Sequence, residues 1–82
     1  MDEVVFKQWL QMEKKMSGRS ATDVISRCKR IHRMTQKDRI DDNTIGLLLE
    51  MESYSGMSSF VKSQLKRAAK LYLEFAEIII KE

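Results

Sequence analysis

The sequence predicts a single all-α domain of four helices, and three observations carry that expectation. The 82 residues include no proline. The three glycines fall at or near breaks between stretches of helical periodicity. Apolar residues recur at three- and four-residue spacing, which on a helix gathers them into one stripe facing a core. A chain of this length forms one domain, near the lower limit for folding on a hydrophobic core without disulfides, a metal or a partner.

The first helix is expected from about Glu3 to Met16, with Val5, Phe6, Trp9, Leu10, Met12 and Met16 turned inward, and Ser17, Gly18 and Arg19 end it. Ser20 followed by Asp23 has the outline of a capping box, in which the serine accepts an orphan backbone N–H. The second helix therefore begins there and reaches about Thr35, with Ala21, Val24, Ile25, Cys28, Ile31 and His32 inward. Gln36 to Asp42 is a polar connection. Asp42 or Asn43 then caps a short third helix carrying Ile45, Leu48, Leu49 and Met51, closed by a Gly-containing turn from Ser53 to Met57. Ser58 or Ser59 caps a long fourth helix, whose inward stripe is Val61, Leu65, Ala68, Ala69, Tyr72, Phe75, Ala76 and Ile79.

The net charge of +3 is modest, but its distribution is uneven. Lys14 to Arg39 holds nine basic residues against Asp23 and Asp38, a local +7; Ile40 to Val61 holds only Asp41, Asp42, Glu50 and Glu52, a local −4. Lys62, Lys66, Arg67 and Lys70 then follow without an acid. On the second helix Lys29, Arg30 and Arg33 lie within roughly 100° of one another opposite the core stripe, flanked by Arg27. On the last helix Lys62, Lys66 and Lys70 form an outward ridge at i, i+4 and i+8. Bases early in a helix and Glu74 and Glu77 late oppose the macrodipole preference, so stability alone does not account for them. Two such ridges point to a surface that meets phosphates, with Arg30 or Lys66 as candidates for base contact. If about five phosphates are neutralised, log affinity falls with log salt at a slope of roughly −4 to −5.

Other chemistry is poorly served. Asp41-Asp42-Asn43-Thr44-Ile45-Gly46, with Glu52 at the twelfth position, outlines a calcium loop, but Ile45 stands where an oxygen ligand is needed. Cys28 and His32 share a helix face, yet no other Cys or His completes a metal site. Met12, Met16, Met51 and Trp9 read as core, and Ser53, Ser55, Ser58 and Ser59 as turn and cap residues. No paired carboxylates or phosphate loop is present, so neither a catalytic site nor a cofactor or small-molecule substrate is expected. A lone cysteine and the lack of a leader or of an apolar run of about 20 residues lead to a cytoplasmic expectation.

Two stretches carry a family resemblance. Phe6-Lys7-Gln8-Trp9-Leu10 with Ser17-Gly18-Arg19-Ser20-Ala21-Thr22 resembles the entry "F-x-x-(W/Y)-L … S-x-x-T" of the N-terminal core-binding domain of tyrosine recombinases, the phage integrase family. Ser59 to Phe75, with its bases ahead of Tyr72 and Phe75, is similar to that domain's last helix. The family commonly has an aromatic residue shortly after the Thr; here Ile25 occupies that region, a departure. The resemblance spans nearly the whole chain. It implies a SAM-like fold of two crossed helical hairpins that clamps one side of double-stranded DNA. The second and last helices would then face the major groove, with Arg27, Lys29, Arg30, Arg33, Lys62, Lys66, Arg67 and Lys70 as contacts. It further implies a bacterial, archaeal or phage-encoded protein of DNA integration and recombination, nucleoid-associated when bound. The family's nucleophilic tyrosine belongs to a C-terminal catalytic domain, expected in the parent chain because Glu82 falls about where the interdomain linker would begin. Tyr72, on the buried face, is expected as core instead. The alternative from another class is a small helical regulator or adaptor whose acidic segment, Ile40 to Val61, meets a protein partner.

Overall fold

The computed structural model describes residues 3–81. They form α1 (Glu3–Glu13), α2 (Gly18–Thr35), α3 (Asp42–Glu50), α4 (Glu52–Ser55) and α5 (Ser59–Lys81), with no strand among the described residues. The all-α expectation holds, with five helices in place of four. The added one is α4, a single turn that begins at Glu52 and overlaps the connection expected over Ser53–Met57; Gly56 ends it by donating to the Glu52 carbonyl at 2.9 Å.

The helix termini correct the expected boundaries by a few residues each. Lys14 still donates to the Leu10 carbonyl at 3.2 Å, but Lys15 takes a left-handed φ of 57°. The Met16 amide then turns back onto the same carbonyl at 3.3 Å, so α1 stops at Glu13 rather than Met16. Ser17, not Ser20, caps α2: its Oγ accepts from the Ser20 amide at 3.1 Å, and its hydroxyl faces the Ser20 Oγ at 3.2 Å. The serine expected as the cap is the residue being capped. At the other end Gln36, with φ of 56°, donates its N–H to the His32 carbonyl at 2.8 Å. Asp41, one residue before the expected cap, holds α3 by accepting from the Thr44 amide at 2.8 Å. The Thr44 hydroxyl is itself buried, reaching the Arg39 carbonyl at 2.9 Å and the Asp41 carboxylate at 3.0 Å. Ser58 caps α5 as expected, accepting from the Val61 amide at 3.2 Å.

The central element is α2, which touches α1, α3 and α5 and packs most extensively on α5. Its inward stripe, Ala21, Val24, Ile25, Cys28 and Ile31, is buried as its spacing requires, and His32 is half-buried. Glu3, at the start of α1, reaches Lys29, eleven residues into α2, so α1 and α2 run antiparallel. Aromatic rings tie α1 to α5: the Phe6 centroid lies 4.9 Å from Phe75 and 5.3 Å from Tyr72, and the Trp9 ring lies 5.6 Å from Phe75. Truncating a buried ring such as Phe6 costs about 3–5 kcal/mol. The Tyr54 hydroxyl donates to the Lys62 carbonyl at 3.2 Å, pinning α4 against the first turns of α5.

Three residues expected inward are exposed: Val5 at 41%, Met12 at 69% and Leu49 at 43%. The Cα envelope is a slab of 34 × 26 × 15 Å, in which the outer helices are covered on one side only. A helix so covered buries a narrow stripe, and residues flanking it stay in water. In α3 that stripe is Thr44 and Leu48, four apart, so Leu47 and Leu49 emerge on either side. The inward position expected for Ile79 lies outside the described side chains. No described helix is long and apolar enough to cross a membrane.

Candidate nucleic-acid interface

The eight cations singled out from sequence do not form one surface. Four of them gather where α2 meets α5. Arg27, half-buried, and Arg67 border a shallow hollow of about 440 Å³ together with Lys15, Ser17, Ser20, Asp23 and Gln64. Beside it Lys66, Arg67 and Lys70 border a second hollow of about 340 Å³ with Ser63, Leu71 and Glu74. Arg67 belongs to both, so the two hollows form one continuous basic strip. Helix geometry explains the grouping. On α5, Arg67 lies on the flank shared with Gln64 and Leu71, each within roughly 60° of it, and on α2 Arg27 follows Ser20 and Asp23 along one side.

Among the described residues no carboxylate pairs with Lys15, Arg27, Lys66, Arg67 or Lys70. These five cations share the strip with two carboxylates, Asp23 and the Lys14-paired Glu74, which leaves an excess of positive charge and a positive local potential of the kind that favours anions. Serine hydroxyls and the Gln64 amide beside them supply hydrogen-bonding groups of the kind that position a phosphate backbone. Glu74 closes the far end, where it accepts from Lys14 at 2.8 Å, with the same ammonium 5.5 Å from the Trp9 ring.

The other four go elsewhere. Lys29 lies on the opposite flank of α2, where its ammonium pairs with Glu3 at 2.6 Å beside Lys7. Lys62 is half-buried, with Nζ 5.9 Å from the Tyr54 ring on the α4 side. Thus the expected Lys62, Lys66 and Lys70 ridge separates after its first member. Arg30 and Arg33 are exposed on the outer face of α2, one and two turns beyond Arg27. Lys15 and Gln64 were not among the residues singled out from sequence. Lys15 precedes α2 on a left-handed turn that periodicity does not describe, and Gln64 carries no charge to mark it.

The remaining candidate chemistry is occupied by packing. The Cys28 thiol is buried and donates to the Ala68 carbonyl at 3.5 Å, and burial pushes its pKa up to about 12, which disfavours the nucleophilic thiolate. Burial also raises the Tyr72 phenol above its usual range. The Asp41 carboxylate is held below the usual carboxylate range by the Thr44 amide and hydroxyl, so the outlined calcium loop is the N-terminus of α3. No group of three His, Cys, Asp or Glu side chains suited to a metal occurs among the described residues. Comparison of the chain with protein-family models, with curated proteins and with solved structures gives no match.

Proposed function

We propose that this chain is a non-catalytic duplex-DNA-binding domain that positions a site-specific recombinase of the tyrosine recombinase family on its DNA. In this reading the two crossed hairpins are α1 with α2 and α3 with α5, α4 being part of the second connection. A C-terminal catalytic domain supplies the chemistry. The observation that carries DNA binding is the convergence of Arg27, Lys66, Arg67 and Lys70, with Lys15, on one strip where α2 meets α5. Phosphate contacts from such a strip supply affinity that is independent of sequence and sensitive to salt. Lys29 and Lys62 fall outside the strip and make secondary contacts at most.

Amide chemical-shift mapping with a 20-base-pair duplex tests it. Shifts along α2 around Arg27 and along α5 from Ser63 to Leu71, with α3 unmoved, are expected. Shifts confined to α3 and α4, or none at low ionic strength, would overturn it. A protein-binding role for α3 is the second reading, supported by Leu47 and Leu49, exposed at 39% and 43%, beside the acids Glu50 and Glu52. It predicts shifts only on addition of a protein partner.

A further inference from the structure

The basic strip on α5 continues toward the start of the helix into an apolar group that nothing in the fold uses. Phe60 is 71% exposed, the most exposed large apolar side chain among those described. It makes no ring contact with the Phe6, Trp9, Tyr72 and Phe75 cluster. On α5 it precedes Ser63, Gln64 and Arg67 by three, four and seven residues, so it shares their side of the helix. Seven residues bring the side chain to within roughly 20° of the same direction, about 10 Å along the axis. The ring therefore lies in line with Arg67, one turn before the first residues lining the two hollows.

Solvating a phenylalanine ring is unfavourable, and a ring placed outward beside unpaired cations meets whatever those cations bring in. A recognition helix in the major groove contacts bases chiefly through its N-terminal residues, while cations further along hold phosphates. The major-groove edge of duplex DNA offers one large apolar feature, the C5-methyl of thymine, and phenylalanine is among the side chains that contact it. We propose that Phe60 reads a thymine methyl in the major groove, so that α5 carries base preference at its start and phosphate affinity along Lys66, Arg67 and Lys70. This inference rests on the DNA-binding reading above and adds to it the chemical group recognised.

The test uses two 20-base-pair duplexes, one of alternating dA and dT and one of alternating dA and dU, which differ only in the methyl. Burying one methyl predicts about fourfold tighter binding to the thymine duplex. Phe60→Ala is expected to remove that preference while leaving the salt dependence unchanged, since no charge is lost. Because the ring is exposed, the variant keeps its fold, checked by far-ultraviolet circular dichroism. Equal affinity of the unaltered protein for both duplexes overturns the proposal. So does a methyl preference that survives Phe60→Ala, or tighter Phe60-dependent binding to single-stranded DNA than to duplex. Failure to bind either duplex at low salt is a different result, because it overturns the DNA-binding reading itself.

Discussion

Arg67 offers the sharpest separation between a basic strip that binds DNA and basic helix faces that merely keep the domain in solution. It borders both hollows, is exposed and has no carboxylate partner among the described residues, so Arg67→Gln removes a charge without disturbing a contact. With Lys15, Arg27, Lys66, Arg67 and Lys70 each neutralising one phosphate, log affinity falls with log salt at a slope of about −4.5, and at about −3.6 without Arg67. Between 50 and 200 mM salt these slopes correspond to losses of about 500-fold and about 150-fold. The matched control is Lys29→Gln. Its charge is already paired with Glu3 on the far flank of α2, and loss of an exposed pair costs only about 0–1 kcal/mol of stability. Fluorescence anisotropy of a labelled 20-base-pair duplex across that salt range measures both variants. A flattened slope for Arg67→Gln beside an unchanged one for Lys29→Gln is expected. Equal effects would refute the strip, and no effect from either would refute phosphate binding by α5.

Four further outcomes test the fold. Thr44→Val keeps the shape of a buried residue but removes the hydroxyl from the Arg39 carbonyl, and should lower unfolding free energy in urea by about 1–2 kcal/mol. Gln36→Gly should raise it by about 1 kcal/mol, since glycine adopts the left-handed conformation without strain. The His32 Nε2 is buried without a hydrogen-bond partner, and burial lowers the imidazole pKa. The unfolded chain, at about 6.5, therefore takes up the proton first. Stability should be complete above about 6.5 and decline as pH falls through the lowered native value; His32→Leu should flatten that decline, and a native His32 titration at or above 6.5 by NMR would contradict it. Cys28 should react with a thiol reagent only at the rate of unfolding, and fast labelling of the folded protein would show its burial to be incomplete.

The helix class and the central stripe were legible in the sequence, because α2 is covered by three neighbours and its 3.6-residue period is expressed in full. Legibility failed on the outer helices α1 and α3, which pack on fewer neighbours than α2 and bury a narrower stripe. In Leu47-Leu48-Leu49 the composition cannot say which leucine faces inward; the choice follows from Thr44, whose hydroxyl is satisfied only on the buried side. The caps were off by one to three residues because Ser17 and Ser20, or Asp41 and Asp42, are chemically equivalent candidates, and only backbone direction decides between them. At the candidate interface, periodicity located both basic faces but not which members meet. That depends on how α2 and α5 are set against each other, which joins Arg27 to Arg67 and sends Lys29 and Lys62 to opposite edges.

The left-handed turn at Lys15 has a consequence for how this domain tolerates change. Gln36 shares its backbone conformation, and there glycine brings only a gain. At Lys15 the same exchange would relieve the turn yet withdraw a cation from the hollow bordered by Arg27 and Arg67. If the strip grips an anionic partner as proposed, selection for a sturdier domain and selection for a tighter grip pull this one position in opposite directions. A lysine held in a glycine's conformation is the compromise expected when the grip prevails.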